Sequence, residues 1–191
     1  MNYMGDILWW NNRFKNRELR LMNPEEALIE DINLFPKGGK VLELACGDGR
    51  NAIFLSEHGY EVLAVDFSTT ALERLSYFAK KKGLNIETKL LDLSKDNSFE
   101  DLLQFEVIII NHYRLNPSLY LRLMEKLKKK SGVLWVNGFR EVPMDNLNIR
   151  ESDVLREEDF EVLAGYKLIN KKMYERGEKK FIRCCYSAME N

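Results

Sequence analysis

Three cysteines, four prolines and two histidines in 191 residues are few, and each scarcity excludes something. Three cysteines, two of them adjacent at Cys184 and Cys185, cannot build the disulfide framework of a small secreted domain. The two histidines and three cysteines show no zinc-ligand spacing, so no metal site is expected. Neither sign of charge dominates: 29 basic residues face 30 acidic ones. No global field therefore gathers nucleic acid or an anionic membrane surface. No apolar run approaches bilayer-spanning length, and Met1–Asp6 lacks the basic start and apolar core of an export signal. The expected compartment is the cytoplasm and the expected partner a small molecule. There is no internal repeat, low-complexity tract or linker. With 45% hydrophobic residues, the chain is long enough for one domain with a substantial core.

What the chain does have is concentrated in residues 41–51, Val-Leu-Glu-Leu-Ala-Cys-Gly-Asp-Gly-Arg-Asn. An apolar strand runs into a glycine turn and then a helix. Gly47 and Gly49 let backbone approach a ligand without a β-carbon in the way. The turn also offers amide N–H groups at the next helix's N-terminus. Glu43 lies inside the strand, where an acid is costly to bury without a partner. Facing a cation, directly or through water, would satisfy it. The ammonium and sulfonium of S-adenosylmethionine are such cations, and a dinucleotide's pyrophosphate is not. Gly47-x-Gly49-x-x-Ala52 also fits the dinucleotide fingerprint, so a nicotinamide-dependent oxidoreductase is the rival reading, with Glu43 against it. A structural cap is the plainer role for Glu43.

Asp66 ends the apolar run Val62–Val65 and lies 19 residues after Gly47. Doubly wound folds place there the acid that accepts hydrogen bonds from ribose hydroxyls. Ser68, or Thr70 in a Thr-x-x-Glu capping box with Glu73, can cap the following helix. That leaves Asp66 for a ligand.

Apolar periodicity alternates strands with helices. Asn23-Pro24-Glu25-Glu26 reads as a helix start capped by Asn23. Strands are expected near 40–45, 61–66, 85–91, 107–110 and 133–136. Helices are expected near 50–58, around Ala71–Ala79, and over 117–129. Strands near 166–174 and 180–187, separated by Arg176-Gly177, form a hairpin. The fold class is α/β: a Rossmann-like, doubly wound, mostly parallel sheet with helices on both faces. Ligands of such sheets sit at the carboxyl ends of the strands, where Phe67, Asp92 and Asn111 to Arg114 lie.

The run Val41–Ser68 resembles the cofactor half of a class I S-adenosylmethionine-dependent methyltransferase. Glu43-x-Ala45-x-Gly47-x-Gly49 matches that family's acid-x-Gly-x-Gly-x-Gly motif, with Ala45 in place of the first glycine. Gly-Asp-Gly-Arg-Asn-Ala followed by a Gly-Tyr-Glu-Val strand is similar to the small bacterial group of tellurite-resistance and thiopurine-type methyltransferases. The resemblance implies seven strands, the last antiparallel. It divides the chain into an N-terminal helical lid segment (1–36), a cofactor-binding core (37–140), and an acceptor-side segment with the C-terminal hairpin (141–191). It also implies S-adenosylmethionine as cofactor and S-adenosylhomocysteine as product.

The cofactor contacts implied are Glu43, Ala45, Cys46, Gly47, Gly49, Arg50, Asn51, Asp66, Phe67, Ser68, Asp92, Leu93 and Asn111. Asp92 would meet the adenine amine and Phe67 the adenine face. Trp9-Trp10-Asn11-Asn12-Arg13-Phe14 resembles the Trp-x-x-Arg-Tyr/Phe entry helix that closes over the cofactor, which adds Trp10 and Arg13. His112, Tyr113 and Arg114 fall near the transferred methyl and are the catalytic candidates. His112 could equally be buried and merely hydrogen-bonded. Where tellurite-type enzymes carry a His-Arg pair between their last strands, this chain has Tyr174-Glu175-Arg176. The Asn/Asp-Pro-Pro-aromatic motif used on amino groups of bases and glutamine is absent. The expected acceptor is thus a small nucleophile: a thiol, a metalloid oxyanion or another heteroatom. A non-catalytic module that binds the cofactor is the remaining alternative.

Overall fold

Elements with local signals form close to where periodicity and capping place them. The computed structural model describes residues 5–95, 99–145 and 148–190. These fall into two compact units, Met1–Leu93 and Ser94–Asn191; the cofactor core expected over 37–140 spans their boundary.

The first unit begins with α1 (Ile7–Asn16) and α2 (Glu26–Asp31). β1 (Gly39–Leu44), α3 (Arg50–Glu57), β2 (Tyr60–Asp66), α4 (Thr69–Lys81) and β3 (Glu87–Leu90) follow. β1 and β3 flank β2, and both pairs are parallel. Val41, Leu42, Leu44, Ala64 and Val65 are buried along these strands, with Leu55, Ala71 and Leu75 from the helices. Ser68 caps α4 by accepting from the Ala71 amide at 3.2 Å, so the cap is Ser68 and not Thr70. α2 starts later than Asn23 predicts, with Glu25 at its N-cap. The reason is tertiary: the Glu25 amide donates to Asn51 Oδ1 at 2.9 Å, and its carboxylate meets Arg50 at 3.0 Å.

The second unit carries β4 (Val107–Asn111), α5 (Tyr120–Glu125), β5 (Val133–Phe139), β6 (Tyr166–Arg176) and β7 (Lys179–Glu190). β4 and β5 are parallel, and β7 is antiparallel to both β5 and β6. β4 reads Val-Ile-Ile-Ile because those four side chains are wholly buried. α5 is shorter than the helix expected over 117–129. A 3-10 turn at Pro117–Leu119 precedes it, and the Phe105 amide donates to the Lys126 carbonyl at 2.8 Å, drawing the chain out of the helix. The segment 141–155, expected to wall the acceptor, includes Asn146 and Leu147, which lie outside the described residues. Beyond it stands an unpredicted 3-10 helix, Glu157–Leu163. Seven strands, with β7 reversed, give the α/β Rossmann-like class that the sequence indicates. No helix among the described residues is long and apolar enough to cross a membrane.

Candidate functional site

In the first unit the ends of β1 and β2 meet through a carboxylate. Asp66 Oδ2 accepts from the Gly47 amide at 2.8 Å, and Oδ1 from the Ser68 amide at 2.9 Å. Asp66 is therefore not free as its neighbours' capping power suggested; it braces the glycine turn against β2. Burial raises its pKa, while the amides of Ser68, Gly47 and Phe67 pull the other way.

Glu43 sits beneath the turn at 2% exposure. Its carboxyl accepts from the Asn51 side chain and the Ala52 backbone amide, so it does cap the start of α3. Oε2, however, is buried with no hydrogen-bond partner among the described residues. Burial pushes the Glu43 pKa up to about 8, against the pull of Asn51 and of nearby Arg50. An acid left half-satisfied in the interior is a place for a missing partner. Cys46, also buried, has its thiol held well above the usual range by desolvation and then by Glu43 and Asp66. It stays protonated and is no nucleophile.

The turn's geometry corrects one expectation. At Gly49, φ +85, the missing β-carbon makes room for Leu75 of α4: an added Cβ would stand 2.1 Å from its Cδ1. At Gly47, φ +55, the space is bounded by the Phe14 ring, 3.3 Å from such a Cβ. Ala45, in the family's first glycine position, adopts φ +52, a left-handed conformation that costs a non-glycine residue roughly 1 kcal/mol. Such strain clusters where ligands bind.

α1 lies against this turn. Phe14 is its buried residue, and Trp10 stacks on Phe14 with centroids 5.8 Å apart. The Arg13 guanidinium stands over Trp9 and Trp10 at 5.2 and 5.8 Å. Asn11 Oδ1 accepts from Ser68 Oγ at 2.6 Å. Arg50 is engaged by Glu25, and Asn51 lies buried between Glu25 and Glu43. Phe67 and Asp92 are half-buried at the ends of β2 and β3, and Leu93 is buried. Sequence reasoning missed Asp48, which is 4% exposed between the two glycines. It pairs with Arg17 and Arg74, each at 3.3 Å.

In the second unit, the ends of β4, β5 and β6 carry a hydrogen-bonded relay. The Tyr174 hydroxyl donates to Asn137 Oδ1 at 2.7 Å, and Asn137 Nδ2 donates to Asn111 Oδ1 at 2.9 Å. His112 is exposed, with φ +55. That corrects the buried alternative. Its ring lies 5.0 Å from that of Phe139 and 5.8 Å from that of Phe181. Tyr113 is half-buried beside it. Arg114 is committed elsewhere: its guanidinium makes a two-point pair with Asp159 at 2.9 and 2.6 Å. That pairing raises its pKa and keeps it charged. No local signal announces Asp159, 45 residues away, as that partner.

Residues 12–138 match the family model described as tellurite resistance protein TehB. A probable S-adenosyl-L-methionine-dependent methyltransferase TehB of Haemophilus influenzae is 33% identical over 94 residues, covering 49% of this chain and 32% of that protein. A ubiquinone biosynthesis O-methyltransferase of Coxiella burnetii is 30% identical over 100 residues, covering 52% of this chain and 42% of that protein. The chain thus aligns with about a third to two fifths of the length of these relatives. The crystal structure of TehB from Haemophilus influenzae superposes with a TM-score of 0.69 at 20% identity, covering 95% of this chain and 66% of that one.

Proposed function

This chain belongs to the tellurite resistance protein TehB family, and on that premise we propose that it is an S-adenosylmethionine-dependent methyltransferase acting on a small-molecule nucleophile. The observation that carries the reading is Glu43: a buried acid with one oxygen unpartnered, at the foot of a strand–glycine turn–helix. A cation in that place satisfies it, whereas a pyrophosphate does not.

The residues present fit the cofactor. Glu43 would meet its cationic amino-acid end, and the backbone of Ala45 to Gly47 would line it. Asp66, whose carboxylate keeps acceptor capacity beyond the backbone amides it meets, would take the ribose. Phe67 and Asp92 would take the adenine, with Trp10 and Arg13 on α1 as the lid. Bound there, the cofactor supplies a methyl group already activated by a sulfonium. The protein's own work is then to orient the acceptor and exclude water. A thiolate or oxyanion needs no base. His112, exposed at the end of β4, can take a proton from an acceptor that must lose one, with Tyr113 next to it in the chain, while Arg114 is held by Asp159. In the second unit, Asn111 is held by Asn137 in an orientation suited to contact at a strand end. Similarity to a ubiquinone biosynthesis O-methyltransferase supports an acceptor with an oxygen nucleophile. Tyr174-Glu175-Arg176 in place of the His-Arg pair weighs against tellurite itself.

The test is calorimetric titration of S-adenosylmethionine, S-adenosylhomocysteine and NADH into wild type and Asp66→Ala. Binding of both adenosyl ligands, weakened in the variant, with none of NADH, is expected. NADH binding alone would overturn the reading. Formation of S-adenosylhomocysteine over a panel of thiols, chalcogen oxyanions, phenols and amines would then separate enzyme from binding module.

A further inference from the structure

The lid helix rests on Phe14, with Trp9 and Trp10 half-buried beside it. Phe14 is the buried residue of α1, while Ile7 and Leu8 are 44% and 61% exposed. Polar ties add to this: Asn11 Oδ1 accepts from Ser68 Oγ at 2.6 Å, and the chain leaving α1 is held by one buried guanidinium. Arg74, on the inward face of α4 at 8% exposure, donates from Nη1 to the Arg17 carbonyl at 3.1 Å and from Nη2 to the Glu18 carbonyl at 2.8 Å. Those carbonyls belong to the chain just leaving α1, where helix ends lack intrahelical partners. The same guanidinium reaches Asp48 Oδ2 from Nε at 3.4 Å and Nη2 at 3.3 Å, and it lies over the Phe78 ring at 5.6 Å. Arg17 closes the triangle by donating to Asp48 Oδ2 at 3.3 Å. Asp48 itself belongs to the glycine turn, and Leu75, the next residue of α4, fills the space beside Gly49.

We propose that Asp48, Arg74 and Arg17 form a latch that holds the α1 lid down on the glycine turn and so sets how long the cofactor stays bound. Asp48 and Arg74 are positioning residues, acting through α1 and the turn and not by touching the reacting atoms. The inference rests on reading that turn as the S-adenosylmethionine site. A lysine in place of Arg74 keeps the charge but cannot grip a carboxylate and two carbonyls at once.

The experiment needs no acceptor. Two of the three tryptophans, Trp9 and Trp10, lie on α1, so tryptophan emission can follow S-adenosylhomocysteine binding and release in a stopped-flow instrument. Arg74→Gln and Asp48→Asn should each speed release and weaken binding by about tenfold. Half-exposed Arg17→Met should do so by about threefold, as expected for a partly solvated pair. Arg74→Lys should fall between wild type and Arg74→Gln. Amide hydrogen exchange without ligand should quicken over 7–20 while β1 and β2 keep their protection. Variants that bind and release the ligand like wild type, whatever their melting temperature, would overturn the latch and leave a fold brace. Should Arg74→Gln fail to fold, Asp48→Asn and Arg17→Met decide alone. Failure of wild type to take up the ligand would overturn the cofactor reading itself, a result distinct from variants that match a binding-competent wild type.

Discussion

Replacing Glu43 by Gln tests whether a buried acid limits this protein's stability. Glutamine keeps the shape and still accepts the Asn51 and Ala52 hydrogen bonds, but it carries no ionisable proton. The Glu43 pKa moves from 4.5 to about 8 on folding because burial disfavours the anion. At 1.36 kcal/mol per pKa unit that is worth about 5 kcal/mol. The sign follows from the raised value. Below about pH 4.5 the carboxyl is neutral in both states and the contribution is complete. As pH rises, the unfolded chain releases its proton while the fold retains it, and stability falls until pH passes about 8. Between pH 5 and 9 wild type should therefore lose about 4 kcal/mol more than Glu43→Gln. Asp66, also raised by burial, adds a slope of the same sign to both proteins, so the comparison isolates Glu43. Urea denaturation of both proteins at pH 5, 7 and 9 measures it, and parallel stability curves would refute the reasoning. The cofactor supplies a second readout. A cation facing Glu43 favours its anion, so binding near pH 7 should release a proton, seen as a dependence of the calorimetric heat on the buffer's ionisation enthalpy. That dependence should vanish in Glu43→Gln. Equal heats in all buffers would leave Glu43 as a helix cap only.

Other substitutions probe the strand ends. Ala45→Gly should stabilise the protein by roughly 0.5–1 kcal/mol, because left-handed strain at φ +52 outweighs glycine's added freedom when unfolded; a lower thermal midpoint would contradict this. Gly49→Ala should cost about 3 kcal/mol, since its Cβ would overlap Leu75 at a backbone angle that alanine disfavours. Adding Leu75→Ala should relieve the overlap but not the backbone strain, and an unchanged denaturation midpoint for Gly49→Ala alone would count against the packing argument. Tyr174→Phe removes the donor to Asn137, which has no solvent exposure. It should cost about 1–2 kcal/mol and weaken S-adenosylhomocysteine binding; unchanged affinity would show that the relay does not orient Asn111 for the cofactor.

Local signals specify the strand–turn–helix at 39–57, the acid inside its strand, the Asp66 position at the end of β2, and the closing hairpin. Each of these has a signal confined to a few neighbouring residues: an apolar period, a cap, a glycine after a strand. Tertiary structure decided what those groups do. Gly49 reads as a ligand-facing glycine until Leu75 is seen filling its space. Asp66 reads as a free acid until the Gly47 and Ser68 amides are found on its two oxygens. Arg114 reads as a site cation until Asp159 is found beside it, and Asp48 reads as a turn residue until Arg17 and Arg74 close around it. The physical reason is range. Backbone propensity and capping act over one turn or one strand. A buried charge must instead find an opposite charge wherever the fold brings one, and no local pattern records which distant residue that will be.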